Sequence, residues 1–399
     1  MLMLMSERGY RWIILIVAYI CMLAFAFTLQ FLPPILSLII EDMKFTHTQA
    51  GLLMSLFALP TIFLSILAGS LSDRWGSLKV GGFSLILAIA GTLLFALGGS
   101  FVSISTGRVI SGIGAATIAI VAAQMISQWF RGREVGTAMG IYNTAMPVGT
   151  IICYTSFGKI AYGLGWRIPI FISILVCLIG LVTLMVLYRP APDNTGHGTI
   201  HKDEKSFGIL SGLREIGLPI WLIGLCWMWF NAAFMSFSTF GPDFFVSKDY
   251  SITAAGFLVS LLMWGSLCMS PIIGRLVDKV NNHEIFIAAG GMISALAIYL
   301  ITRVTNYIYP MILMSLSVAF IPAPVFSFPS KILKPQLMGL VFGILFTFSS
   351  LGMFLGPFAA GIVRDKTGSY ETTFVFLSII ALMVPFTALV LRVLIKRRL

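Results

Sequence analysis

The chain contains little charge for its length. Asp, Glu, Lys and Arg make up 10% of its 399 residues, whereas hydrophobic residues make up 58% and the mean hydropathy is +0.98. A soluble domain carries about 25% charged residues, which cover its surface in water. This shortage of charge excludes a soluble protein, and the composition predicts an integral membrane protein.

Residues suited to catalysis and metal binding are also scarce. The histidines, His47, His197, His201 and His283, all fall in loops, and the five cysteines lie inside apolar runs without a metal-ligand spacing. No Ser/His/Asp set falls within a membrane segment, and no glycine-rich phosphate loop is present. We therefore expect no enzyme, no cofactor, no bound metal and no ATP-driven step, and we expect reduced, buried cysteines.

The apolar runs predict helices rather than a β-barrel. Runs near or above twenty residues have the length that a helix needs to cross about 30 Å of hydrocarbon, whereas barrel strands alternate in polarity over about ten residues. We therefore predict an all-α integral membrane fold with twelve transmembrane helices. The predicted spans are 11–40, 48–71, 80–99, 102–128, 136–161, 167–188, 216–240, 252–275, 284–302, 307–328, 337–362 and 372–393.

One long polar stretch divides these spans into two sets of six. We predict an N-terminal six-helix bundle at 1–188, a cytoplasmic linker at 189–215 and a C-terminal six-helix bundle at 216–399. With both termini and the linker on one face, that face carries 18 of the 26 Lys and Arg residues. The positive-inside rule then places both termini on the cytoplasmic side of the cell (inner or plasma) membrane. The net charge of +11 is therefore a topology signal, and we expect no nucleic-acid partner.

An internal repeat relates the two sets of spans. The stretch GSLSDR from Gly69 resembles GRLVDK from Gly274, at an offset of 205 residues. A second pair, beginning at Gly158 and Gly361, closes the fifth and eleventh spans at an offset of 203. Two motifs at nearly the same spacing indicate parallel repeats of a six-helix unit, an arrangement found in one large class of secondary transporters.

These motifs resemble those of the major facilitator superfamily of secondary transporters, and the resemblance covers essentially the whole chain. The family's loop signature after the second span is matched by Gly69, Leu71, Ser72, Asp73, Arg74 and Gly76, with departures at Ser77 and Leu78. A second signature is matched by Arg108 in GRVISGIGAA. The resemblance implies two pseudo-symmetric six-helix bundles around a central cavity.

The resemblance also implies that the loop after the second span is part of a cytoplasmic gate. A carboxylate such as Asp73 would contact the N-terminus of the eleventh span near Gly339, where the helix dipole is positive. These contacts would break when the cytoplasmic side opens; a solvated turn that only fixes topology is the alternative. The expected gate residues are Gly69, Asp73, Arg74, Gly76, Arg131, Arg133, Asp278 and Lys279.

Arg108 is the ionisable residue that falls deepest within a predicted span. Such a residue usually faces a cavity or a partner. Two roles stay open for Arg108. It can bind an anionic substrate, because a guanidinium pairs well with carboxylate, phosphate or nitrate-like groups, or it can be a structural and coupling residue that bonds to helix carbonyls.

Other polar and aromatic residues at mid-depth complete the predicted substrate site. Gln30 and Asn231 are favoured because each is an amide inside an otherwise apolar run. An interhelical hydrogen bond, worth about 0.6 kcal/mol, is the alternative role for each. The predicted substrate-binding residues are Arg108, Gln30, Asn231, Tyr19, Tyr142, Asn143 and Trp264.

The placement of the acidic residues favours an anionic substrate. All fifteen fall at helix ends or in loops, so a cationic substrate has no counter-ion within the membrane. Met146 replaces the glycine that precedes Pro147 in the family's exporter signature. This signature is therefore incomplete, which favours uptake or exchange over export. We predict a monomeric secondary transporter that moves a small organic or inorganic anion by rocker-switch alternating access, as a proton symporter or anion exchanger. A proton-coupled exporter of lipophilic compounds and a non-transporting membrane sensor are the alternatives.

Overall fold

A computed structural model gives the structure of residues 7–130, 134–191, 216–280, 282–333 and 337–396. Within these ranges, only the backbone is described for residues 7, 8, 65–70, 73, 278, 330, 339 and 396. The described residues are almost entirely helical and include no β-strand. Most of the predicted linker lies outside the described residues, so the predicted domain boundaries stay predictions.

The first six spans lie between residues 7 and 187. The first span is α1 (Glu7–Gln30), which continues through a 3-10 turn (Pro33–Ile35) into α2 (Leu36–Met43). The second, third and fourth spans are α3 (His47–Trp75), α4 (Ser77–Leu97) and α5 (Phe101–Trp129). The fifth span comprises α6 (Val135–Ile152), a π-helical turn (Cys153–Phe157) and α7 (Gly158–Leu164), and the sixth is α8 (Arg167–Leu187).

The last six spans follow the same order. The seventh, eighth and ninth spans are α9 (Leu218–Ser247), α10 (Ile252–Val280) and α11 (His283–Ile301). The tenth span comprises α12 (Ile308–Phe320) and α13 (Pro322–Ser327), and α14 (Pro329–Ile332) follows it. The eleventh and twelfth spans are α15 (Met338–Thr367) and α16 (Tyr370–Lys396).

The predicted all-α membrane fold is confirmed. Among the described residues, eleven helices are long and apolar enough to cross a membrane. The fifth span does not belong to that set, and it comprises α6, the π-helical turn and α7. With this divided helix included, the described chain has the twelve spans that the sequence predicts.

Local sequence determines where two of the spans begin. At the start of α3, the Thr46 side chain accepts a hydrogen bond from the Gln49 backbone N–H, and the Gln49 side chain accepts one from the Thr46 N–H. Ser100 and Ser103 form the same reciprocal cap at the start of α5. Such capping boxes satisfy backbone donors that the first turn of a helix leaves without partners.

The two sets of spans pack against each other along two seams. We call spans one to six and spans seven to twelve the two halves. The second span packs along the eleventh, and the fifth packs along the eighth. We call the membrane face that carries neither terminus the outer face, following the predicted topology. Both seams bring backbones into close contact near this face.

Glycines make the close contact in the seam between the second and eleventh spans. A Cβ atom added to Gly51 would lie 2.2 Å from the carbonyl oxygen of Pro357. A Cβ atom added to Gly361 would lie 2.4 Å from the carbonyl oxygen of His47. Neither position has room for a side chain, so the two helices touch through their backbones, as small residues allow in membrane proteins.

The seam between the fifth and eighth spans repeats this arrangement. A Cβ atom added to Gly256 would lie 1.9 Å from the carbonyl oxygen of Tyr154, and one added to Gly158 would lie 2.4 Å from Ile252 Cγ2. Gly256 and Ile252 follow Gly51 and His47 by the repeat offset of 205 residues. The internal repeat therefore builds two equivalent glycine contacts, which close the outer face between the halves.

Adding a methyl group at these contacts will open the outer face. We expect Gly51→Ala and Gly256→Ala each to lower the population of the closed outer face about tenfold, because overpacking costs about 1–3 kcal/mol. The distance between spin labels at Lys44 and Lys366, which are exposed on opposite sides of the first seam, measures that population in a cysteine-free variant. Gly163→Ala is the matched control, because no atom lies within 4 Å of a Cβ there. An unchanged distance distribution in both seam variants would contradict the role of the glycines.

Candidate functional site

The candidate site lies where the two halves meet beneath the outer face. It has a polar outer layer at the second and eleventh spans and a buried layer at the first, fifth and seventh spans. Hydrogen bonds between the halves occur in both layers.

Asp365 connects the eleventh span to the start of the second span. Its Oδ1 accepts a hydrogen bond from the backbone N–H of His47 at 3.0 Å, and its Oδ2 accepts one from the N–H of Thr48 at 2.7 Å. These N–H groups belong to the first turn of α3, where they have no partner within the helix. The carboxylate also lies at the positive end of the α3 dipole, which favours its negative charge.

The His47 side chain extends this layer to a second carboxylate. Its Nδ1 lies 3.2 Å from Asp365 Oδ1, and its Nε2 lies 3.5 Å from Asp243 Oδ2 on the seventh span. The hydroxyl of Tyr370, the first residue of α16, donates a hydrogen bond to Asp243. The Arg364 guanidinium lies 4.3 Å from the centre of the Tyr370 ring. One residue of the first half is thus held by charged groups from two spans of the second half.

Sequence reasoning missed this outer layer, although the sequence contains a signal for it. Asp365 stands in GIVRDKTG (361–368), which has the same Gly-x-x-x-Asp-(Arg/Lys)-x-Gly spacing as GSLSDRWG (69–76). Both stretches end a span, and the closing glycines, Gly76 and Gly368, have φ angles of +84° and +66°. The second and eleventh spans therefore each end in the same carboxylate-bearing turn, one at each membrane face.

The buried layer joins the fifth span to the seventh through Tyr154. The Tyr154 hydroxyl lies 2.7 Å from the carbonyl oxygen of Ser238, to which it donates, and 2.8 Å from Ser238 Oγ. In a regular helix, that carbonyl would accept from the N–H four residues later, but this residue is Pro242, which has no N–H. Tyr154 supplies the missing donor, and it lies in the π-helical turn of the fifth span.

Gln30 lies beside Tyr154, and its amide nitrogen is unpaired among the described residues. Gln30 Oε1 lies 3.5 Å from the Tyr154 hydroxyl, and the Gln30 side chain is completely buried. Its Nε2 has no hydrogen-bond partner among the described residues. Buried polar atoms in native proteins nearly always have a partner. The Gln30 amide nitrogen is therefore an exception to this rule among the described residues.

Arg108 is completely buried in a box formed by the first and second spans. Its Nη1 donates to Thr28 O at 2.8 Å, its Nη2 to Leu29 O at 3.2 Å, and its Nε to Leu53 O at 3.1 Å. The Leu29 carbonyl would otherwise bond to the N–H of residue 33, which is Pro33 and has none. Arg108 thus replaces the hydrogen bond that Pro33 removes from the end of α1.

Aromatic rings close this box around the charge. The guanidinium carbon of Arg108 lies 4.9 Å from the ring centre of Phe31, 4.7 Å from that of Phe57 and 6.0 Å from that of Phe95. Cation–π contacts of this kind gain strength where water is excluded. In this structure, the guanidinium faces carbonyl oxygens and aromatic rings of its own half.

The remaining predicted substrate residues are dispersed. Asn231 is buried and donates through Nδ2 to Trp227 O at 2.7 Å. The buried Tyr142 donates to Ala119 O at 2.7 Å, within the first half. Among the described residues, no hydrogen bond connects Asn231 or Tyr142 to Gln30. The other three are Tyr19, which accepts a hydrogen bond from Thr144 at 3.4 Å, Asn143, which is exposed, and Trp264, which is 47% exposed.

The structure describes the predicted cytoplasmic gate only in part. Arg131 and Arg133 lie outside the described residues, and only the backbone is described for Gly69, Asp73 and Asp278. Arg74 and Lys279 are exposed, and Gly76 ends α3 with a left-handed φ angle. The contact between Asp73 and the eleventh span therefore stays a prediction.

The chain belongs to the Major Facilitator Superfamily. The sequence model of that family matches residues 18–357 and 245–398. The lysosomal dipeptide transporter MFSD1 of Bos taurus is 25% identical over 366 residues, covering 86% of this chain and 77% of the relative. The hexuronate transporter of Bacillus subtilis (strain 168) is 21% identical over 360 residues, covering 84% and 83%.

Solved structures show the same fold. The nucleoside transporter NupG (D323A mutant) has a TM-score of 0.81 at 12% identity, covering 96% of this chain and 99% of that chain. A bacterial homologue of the human lysosomal transporter Spinster has a TM-score of 0.80 at 17% identity, covering 98% and 99%. The protein is accordingly a multi-pass membrane protein and a secondary transporter.

Replacing Arg108 by lysine will destabilise the first half. Lysine cannot reproduce three hydrogen bonds to separate carbonyls, so we expect a loss of about 3 kcal/mol and a Tm lower by several degrees. Thermal unfolding of the purified protein in detergent measures this loss, and Arg303→Lys at an exposed site is the matched control. An unchanged Tm together with lost solute binding would instead assign Arg108 to the substrate site.

Proposed function

We propose that this transporter moves a small organic solute that carries a carboxylate, by alternating access through the region beneath the outer face. The two glycine seams support the closing of the outer face in this structure. The internal repeat supports a motion in which the halves rock about the region between them. The solute is held between the halves, so its release requires the contacts at one face to break.

Gln30 is the observation that carries this proposal. Its Nε2 is a buried donor without a partner among the described residues, and it lies beside the Tyr154–Ser238 contact between the halves. A carboxylate oxygen of a solute would satisfy that donor, and a hydrogen bond to a charged acceptor contributes about 1.5–3 kcal/mol. The site is therefore suited to an acceptor-bearing solute.

The relatives support the carboxylate. A dipeptide and a hexuronate differ in shape, but each is a small polar molecule with a carboxylate group, and both names occur among the similar proteins. The prediction of an anionic substrate thus stays in place, although the hydrogen bonds of Arg108 favour a structural role for that residue. We propose that neutral donors, led by Gln30, recognise the carboxylate.

Coupling follows from the same distribution of charge. Because the acidic residues lie at helix ends or in loops, we propose that the solute crosses with its own proton or in exchange for another anion. At the cytoplasmic face, we propose that Asp73 contacts the N-terminus of the eleventh span as Asp365 contacts that of the second. The two turns with the same spacing would then close opposite faces in alternation.

A row of aromatic rings supports the second candidate function, the export of lipophilic compounds. Trp227 stacks on Phe230, with ring centres 5.6 Å apart, and Phe230 stacks on Phe234 at the same distance. Phe326 of the tenth span meets Trp227 edge to face at 5.4 Å. These rings pack against one another in this structure, and aromatic faces of this kind suit a flat solute.

Transport by proteoliposomes tests both candidates. We expect counterflow of labelled dipeptides or hexuronates, and we expect Gln30→Ala to reduce it at least about tenfold, as the loss of a hydrogen bond to a carboxylate predicts. Gln128→Ala, at the inner end of the fourth span, is the matched control and should transport normally. Unchanged counterflow in Gln30→Ala would remove Gln30 from the site. Movement of lipophilic dyes alone, sensitive to Trp227→Ala, would favour the second candidate.

A further inference from the structure

The outer layer contains a histidine between two carboxylates of the opposite half. His47 Nδ1 faces Asp365 Oδ1 at 3.2 Å, and His47 Nε2 faces Asp243 Oδ2 at 3.5 Å. The side chains of His47, Asp243 and Asp365 are 22%, 15% and 28% exposed, so water at the outer face reaches all three. This arrangement exists only while the second, seventh and eleventh spans are together.

The geometry favours the protonated ring. A neutral imidazole has a hydrogen on one nitrogen and a lone pair on the other, whereas an imidazolium donates from both. With a carboxylate oxygen opposite each nitrogen, the neutral ring would direct its lone pair towards a negative oxygen. The protonated ring makes two charge-assisted contacts instead. Both contacts join the two halves, so they exist only while the outer face is closed.

The groups that surround His47 have partners of their own. Both oxygens of Asp365 accept backbone hydrogen bonds, which keep that carboxylate ionised, and Asp243 accepts from the Tyr370 hydroxyl. The Arg364 guanidinium lies over the Tyr370 ring, and the Phe240 ring of the seventh span lies 6.3 Å from the His47 ring.

Two further groups lie at the same face. Lys248 and Glu371 form their own pair at 3.8 Å. Burial raises the pKa of Tyr307, which precedes the tenth span, so its hydroxyl stays neutral near neutral pH. Histidine is the side chain whose ordinary pKa lies between pH 5 and 8.

The second seam lacks this feature. By the repeat offsets of 205 and 203 residues, Ile252 stands where His47 stands, and Tyr162 stands where Asp365 stands. The seam between the fifth and eighth spans therefore has an aliphatic and a phenolic side chain at these positions. The glycine contacts are symmetric in the two seams, but the titratable contact is confined to one.

We propose that His47, Asp243 and Asp365 form a proton-binding site that controls the outer face. The protonated His47 ring stabilises the closed outer face, and this stabilisation is lost when the ring gives up its proton. The proton is not carried across, since the site lies at the outer end of the second span. The proposal rests on alternating access but not on the identity of the solute.

Spin-label distances in nanodiscs test the site directly. With labels at Lys44 and Lys366 in a cysteine-free variant, we expect the ratio of closed to open populations to fall about tenfold between pH 5 and pH 8, a size that is usual for the coupling between two binding events. His47→Gln should remove this pH dependence. His47→Lys, which stays charged, should keep the closed population high at both pH values.

Controls separate this inference from the proposed function. His283→Gln, at the buried start of the ninth span, should keep the wild-type pH response. A pH-independent distance distribution in the wild-type protein, or an unchanged pH response in His47→Gln, would overturn the proton site. Normal counterflow of the solute in the same preparation would show that the transporter itself is intact, so the two proposals fail separately.

Discussion

Inside a bilayer, every polar backbone group needs a partner from the protein, because the hydrocarbon offers none. Three contacts of this transporter meet that requirement with a side chain from another span. Arg108 bonds to the Leu29 carbonyl that Pro33 leaves free, Tyr154 bonds to the Ser238 carbonyl that Pro242 leaves free, and Asp365 bonds to the first N–H groups of α3. The irregular backbone needed for a moving transporter is therefore tied to a few polar side chains.

These contacts differ in what they hold together. The Arg108 contacts lie within one half, so they can persist while the halves move. The Tyr154 and Asp365 contacts join the two halves, so they must break before the outer face opens. A backbone group that lacks a partner in its own helix is thus bonded within one half by Arg108 and between the halves by Tyr154 or Asp365, according to which half supplies the side chain.

The glycine seams set the distance at which the reversible contacts form. Gly51 and Gly256 bring backbones together where any side chain would separate them. The internal repeat makes the two seams equivalent in backbone, while the side chains at their outer ends differ. One seam ends in a histidine between carboxylates and the other in apolar and phenolic groups, and the proposed response to pH depends on this difference.

The sequence predicted the large features of this protein because they depend on long runs of residues. The twelve spans and the family followed from hydrophobic runs, repeat spacing and one loop signature. The spacing that identifies Asp365 was also present, at 361–368, but its partner was not evident. The sequence alone predicts a loop position for His47, because its role depends on Asp243, which lies nearly two hundred residues later.

The sequence by itself determined that the protein lies in a membrane, the number of its spans and the repeat that relates them. Apolar length and periodic motifs are local properties of the chain. Only the tertiary structure decided what the polar residues do. Arg108 was visible as a buried charge, but its three carbonyl partners come from two other helices. Gln30 was visible as an amide in an apolar run, but its free Nε2 is a property of the packed interface. Partners of buried polar groups are fixed by distances between spans, and those distances arise only when the helices pack.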